Sequence, residues 1–149
     1  MSNKVIVIAA ALIVVVGMTF AQSDSTNCRT INLPRPVANL PFSDGVLVGN
    51  TYYLSGRIGL DPQTGEVPPE VNDELRNLLD GVKKVLGEVE MNTDNLVYVQ
   101  VFCPDLSLYG KFNDTYRTYF GKNFPGRALI GSGPLLVGGH FEFQGIAVR

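Results

Sequence analysis

Tryptophan is absent from the chain, histidine occurs once, and two cysteines are spread through 149 residues. Two cysteines are too few to staple a small disulfide framework. One histidine and two distant cysteines also offer no metal-ligand spacing, so neither a metal nor another cofactor is expected. Charge is scarce as well: Asp, Glu, Lys and Arg make up 17% of the residues, with 14 acidic against 12 basic side chains. That excludes a disordered polyelectrolyte. No basic stripe with interleaved aromatics is present, so no nucleic-acid partner is expected. Internal repeats and low-complexity tracts are missing too. Gly131-Ser-Gly133 resembles a phosphate loop only superficially, because no Lys-Ser/Thr pair and no helix start follow it.

What the sequence does have is an apolar excess at its front, and this carries the mean hydropathy of +0.12. Met1–Ala21 reads as a short polar start with Lys4, an unbroken apolar run from Val5 to Val16, and small residues at Thr19 and Ala21 suited to a cleavage site. This is the layout of a secretory signal peptide. The run falls short of the roughly 20 residues that span a bilayer comfortably. An uncleaved, Val-rich signal anchor is the competing reading, and a buried core helix a third, although no amphipathic stripe supports the latter. Cleavage after Ala21 would place the product in the secretory lumen or outside the cell, and would leave 128 of the 149 residues. The anchor reading would leave the chain on a membrane, and a membrane partner is expected only in that case.

Residues 22–40 form a polar, proline-marked extended lead-in, and the folded domain is expected over 41–149, starting near Phe42. Val46–Val48 and Thr51–Ser55, joined by Gly49-Asn50, predict a β-hairpin. Gly56 to Pro69 reads as loop. Val71, Leu75, Leu78, Leu79, Val82, Leu86 and Val89 recur at three and four, which predicts a helix from Glu70 to about Glu90. A strand over Leu96–Phe102 follows, then an aromatic-rich helix over Leu106–Phe120 closed by Gly121 and Pro125. Two more strands, Arg127–Ile130 and His140–Val148, flank the glycine-rich 131–139 stretch. The implied class is α+β: a sheet with two helices on one face. The other face needs a partner, which points to an oligomer.

Six phrases carry a more specific signal. Pro41-Phe-Ser-Asp-Gly-Val-Leu-Val-Gly-Asn50, Tyr53-Leu-Ser-Gly56, Gly59-Leu-Asp-Pro-Gln-Thr-Gly-Glu66, Asn113-Asp-Thr-Tyr-Arg-Thr-Tyr-Phe120, Phe124-Pro-Gly-Arg127 and Gly145-Ile-Ala-Val-Arg149 resemble the RidA (YjgF, RutC-like) family in order and spacing from about Leu33 to Arg149. The resemblance implies a chorismate-mutase-like mixed sheet, a homotrimer whose sheets line a central barrel, and ligand clefts between subunits. It also implies hydrolysis of reactive enamines and imines, the 2-imino acids, to 2-keto acids and ammonia.

Such chemistry needs a fixed cation for the carboxylate, a positioned water and a hydrogen-bonding wall. Arg127 matches the substrate-binding arginine of the family, and a guanidinium suits the task because it forks a carboxylate and keeps its charge. Other positions depart from the pattern. Phe42 stands where many deaminating members have Tyr, and Gln144 stands where the resemblance puts the water-positioning glutamate. A glutamine can hold a water but cannot take its proton, a difference commonly worth about 10² to 10⁴ in rate. His140, Glu142 and Gln144 should share one strand face at about 6.5 Å spacing, which makes His140 or Glu142 a possible substitute. Arg57 is either a second anion contact at the cleft mouth or a solvated residue. Asn113 and Tyr119 are expected to be structural, and Asn113-Asp-Thr115 to be a coincidental glycosylation sequon. Cys28 and Cys103 could pair in an oxidising compartment.

Two function classes follow: an imine deaminase anchored by Arg127 and slowed by Phe42 and Gln144, or a non-catalytic secreted protein that binds small carboxylates or other partners on the same scaffold.

Overall fold

The computed structural model describes residues 27–34, 40–121 and 123–149; the signal or anchor reading of Met1–Ala21 lies outside the described residues. β1 spans Cys28–Ile31, β2 spans Gly45–Val48 and β3 spans Thr51–Ile58. β2 and β3 pair antiparallel across the expected turn. There Gly49 holds φ 58°, the mirror-turn conformation that suits the twist of a tight hairpin. β1 pairs antiparallel with β2, so the sheet begins inside the 22–40 stretch and not near Phe42. Asp44 fastens the return: its N–H donates to Ile31 O at 3.0 Å and its Oδ2 accepts from Leu33 N–H at 2.8 Å. The strand escapes pattern reading because Ile31 alone in Cys-Arg-Thr-Ile is buried, too little for an alternation to show.

β3 runs past Ser55 into the expected loop. Leu54 lies opposite Gly145 and Arg57 opposite Phe143, so β3 carries one extra residue at Ser55-Gly56. This β-bulge changes which face later side chains take.

α1, Val71–Gly87, buries Leu75, Leu78, Leu79, Val82, Val85 and Leu86 together with Glu74. It stops just short of the expected end. Glu90 takes φ 57° and Met91 N–H closes on Leu86 O at 2.9 Å, a Schellman-type ending. β4 spans Leu96–Cys103, α2 spans Tyr109–Arg117, β5 spans Gly126–Gly131 and β6 spans Glu142–Val148. The expected second helix is thus shorter at both ends. Its first turn is a 3-10 turn over Leu106–Leu108, capped by the Asp105 carboxylate accepting from Ser107 N–H at 2.9 Å.

The sheet order is β1-β2-β3-β6-β4-β5. β5 runs parallel to β4, as its α2 crossover requires, and all other pairings are antiparallel. Both helices cover the same face, the expected α+β arrangement, with Tyr52, Leu54, Val99, Val101, Phe143 and Ala147 buried beneath them. On the opposite face Tyr53, Ile146 and Tyr98 lie in one row across three strands. Tyr53 and Tyr98 stay exposed in the single chain.

Candidate functional site

Arg127 lies beside Val99 in the β4–β5 register. Val99 is fully buried under the helices, so Arg127 points to the helix-covered side, where α2 receives it. Residues 109, 112, 113 and 116 share a face of α2 because they are three and four apart. The Arg127 guanidinium carbon sits 4.7 Å from the Tyr116 ring centroid, 5.4 Å from Phe112 and 6.0 Å from Tyr109. Its Nη2 donates to Asn113 Oδ1 at 2.7 Å. A planar guanidinium can lie on such a platform while its N–H edges stay available to an anion. Asn113, expected to be structural, therefore holds the Arg127 guanidinium in place, and its side chain is already engaged at the sequon.

Tyr109 is the residue that pattern reading passed over as one more helix aromatic. A hydrogen bond from Asn113, then the nearby Arg127 charge, hold its hydroxyl below the ordinary tyrosine pKa. Its position four residues before Asn113, on the same helical face, was the available signal. Tyr119 is different: it packs against the core, and burial and then Asp80 push its phenol up to about 12.

Gln144 lies on the other side of the sheet. It faces Gln100 across β6 and β4, and its Nε2 donates to Gln100 Oε1 at 2.6 Å. Glu142 shares that face by strand periodicity, and its carboxylate lies against Gly56 at the bulge, where a Cβ would collide with Glu142 Oε1. His140 does not extend the row. It precedes β6 and turns to α1, with Nδ1 2.6 Å from Oε2 of the buried Glu74. The expected three-residue row is thus a pair.

Arg57 is not a solvated residue. Its Nη1 is 3.0 Å from Asp44 Oδ1 with both side chains largely buried, and Gly81 of α1 makes room for it, since a Cβ there would approach Arg57 Nε to 2.8 Å. The bulge explains the discrepancy: plain alternation puts residue 57 opposite Leu54, and the extra residue brings it to the helix side.

Phe42 is exposed on the loop before β2. β3, β6 and β4 separate β2 from β5, about 19 Å at ordinary strand spacing. Phe42 and Arg127 of one chain therefore cannot grip the same small molecule. Two clefts are open elsewhere: one of about 860 Å³ between the helices, bordered by Arg76, Lys83 and Lys111, and one of about 430 Å³ beside His140, bordered by Asp105 and Ser132. Neither includes Arg127, Phe42, Arg57 or Gln144. Among the described residues no three of His, Cys, Asp and Glu gather as a metal cage. Cys28 is exposed, Cys103 is buried, and both are free.

The chain is similar to known proteins in sequence and in fold. The family described as Endoribonuclease L-PSP matches residues 32–149. A Bos taurus protein named 2-iminobutanoate/2-iminopropanoate deaminase is 36% identical over 115 residues, covering 76% of this chain and 84% of its own length. The Homo sapiens protein of the same name is 33% identical over 115 residues, with the same coverage. Among solved structures, the Escherichia coli YjgF gene product superposes with a TM-score of 0.75 at 34% identity, covering 81% of this chain and 98% of its own. Escherichia coli TdcF with bound serine gives a TM-score of 0.75 at 29% identity, covering 81% and 99%. With the mixed sheet, the paired helices and the Phe124-Pro-Gly-Arg127 phrase in place, the chain belongs to the RidA/YjgF family.

Proposed function

We propose that the chain is a 2-imino-acid deaminase whose sites are shared between copies in a homotrimer. Water adds to C2 of the imine, the resulting carbinolamine expels ammonia, and a 2-keto acid remains. The observation that carries this reading is the Arg127 guanidinium, its carbon 4.7 Å from the Tyr116 ring and 5.4 Å from the Phe112 ring, steadied by Asn113 at 2.7 Å. Relatives at 36% identity that bear the deaminase name support it.

The water-handling role that the resemblance gives to Gln144 falls better to Glu142. Gln144 spends its amide on Gln100, whereas Glu142 brings a carboxylate, which can take and return a proton, onto the same face. Arg127 lies on the opposite face and Phe42 beyond three intervening strands, so a site using all of them needs a second chain. The uncovered row of Tyr53, Ile146 and Tyr98 supports such an assembly. Export of the domain rests on the Val5–Val16 run.

The test is a coupled assay in which a threonine dehydratase generates the imine and semicarbazide traps it. Trapping should fall when the protein is added and recover with Arg127→Ala. No effect at micromolar protein overturns the enzyme reading. Keto-acid binding that persists without turnover would establish the non-catalytic carboxylate binder instead.

A further inference from the structure

The Arg127 fork has a second donor beside it. Tyr109 opens α2 and is 51% exposed. Its ring centroid lies 6.0 Å from the Arg127 guanidinium carbon, on the same face of α2 as Asn113, whose Oδ1 accepts from Arg127 Nη2 at 2.7 Å. A phenol has one O–H donor and two acceptor lone pairs. Arg127 is donor-only, so toward the guanidinium the phenol can act only as an acceptor, and its O–H is left to serve an incoming acceptor such as a carboxylate.

We propose that the Tyr109 hydroxyl is a substrate-binding group of the Arg127 site, donating its O–H to the carboxylate that the guanidinium forks. The ligand class is a small 2-imino or 2-keto monocarboxylate, and this inference rests on the reading of Arg127 as its anchor. The placement also answers a deficit in the sequence: Phe42 provides a ring without a hydroxyl, and α2 supplies a hydroxyl next to the anchor.

The arrangement has a pH signature. A tyrosinate cannot donate and repels a carboxylate, so affinity falls as pH rises through the Tyr109 pKa. The groups that hold that pKa down are Asn113 and Arg117 from α2 and Arg127 from β5. Tyr116, beneath Arg127, is pushed up to about 12 by burial and titrates later.

The experiment is calorimetric titration of the intact protein with 2-oxobutanoate, the keto acid that 2-iminobutanoate hydrolysis leaves, across a pH series from about 7 to about 10. Tyr109→Phe keeps the ring and should raise Kd about tenfold at the neutral end, as expected for one lost hydrogen bond to a charged group. It should also abolish the alkaline weakening seen in the wild type. Binding lost in Arg127→Ala but within twofold of wild type in Tyr109→Phe, with the pH slope unchanged, overturns the Tyr109 proposal alone. Absence of wild-type binding, or binding that Arg127→Ala leaves intact, overturns the reading of the anchor and this proposal with it.

Discussion

Glu74 on α1 and His140 ahead of β6 meet with Oε2 2.6 Å from Nδ1, and Glu74 Oε1 accepts the backbone N–H groups of His140 at 2.8 Å and Phe141 at 3.1 Å. One fully buried carboxylate thus pins the first helix to the start of the last strand. Glu74→Ala would leave two N–H groups without their acceptor, each worth roughly 1–3 kcal/mol. The expected loss of stability is therefore about 2–6 kcal/mol. Glu74→Gln retains an amide oxygen for both and should cost less than half as much. Urea unfolding at one fixed protein concentration checks the pair. Equal losses would show that the charge, and not the acceptor geometry, holds the joint.

The Arg57–Asp44 pair joins β3 to the loop before β2, and Asp44 also receives Leu33 N–H. Arg57→Gln should lower stability by roughly 1–3 kcal/mol, because it leaves a nearly buried carboxylate short of its partner. Asp44→Ala should cost more, since it frees the N-terminal strand as well. Keto-acid affinity should stay within twofold in Arg57→Gln. A tenfold loss of affinity without loss of stability would return Arg57 to the anion site.

Much of this was legible in the residues. The apolar spacing of α1, the Gly49-Asn50 turn and the aromatic face of α2 are local signals, and the elements they predict form within a few residues of the expected bounds. Arg127 could be singled out because its phrase is contiguous. Features that depend on pairing were not readable. The bulge at Ser55-Gly56 is defined only against β6, and it reverses the side on which Arg57 lies. Glu74 occupies a core-facing position of α1 with a charge, and only the backbone of residues 140 and 141 explains why it is tolerated there. Likewise, nothing in the spacing of Arg127 and Gln144 says that they occupy opposite faces, because that depends on strand order.

The two thiols should react very differently. Cys28 is exposed on β1, an edge strand, whereas Cys103 is fully buried, donates to Asp105 O at 3.0 Å, and has its pKa raised by burial. The thiolate is the reactive form, so Cys103 is both shielded and rarely ionised. Iodoacetamide at mildly alkaline pH should modify Cys28 quickly, and Cys103 only after unfolding, as read by intact mass. Loss of both thiols in the native oxidised protein would mean that they pair after a rearrangement of β1.

Glu142 and Gln144 separate the two accounts of the water. Glu142→Gln removes a group able to take a proton and should lower kcat by about 10² or more, with KM within about threefold if Arg127 carries binding. Gln144→Glu should change kcat by less than threefold: the Gln100 amide can rotate to donate to the new carboxylate, which is thereby held in the same pairing. Gly56→Ala offers an independent route, because its methyl would enter the space of the Glu142 carboxylate. It should reproduce the kcat loss of Glu142→Gln while leaving keto-acid binding intact. A large gain from Gln144→Glu, with Glu142→Gln near wild type, would reassign the proton to position 144 and make the present Gln144 the cause of a slow enzyme.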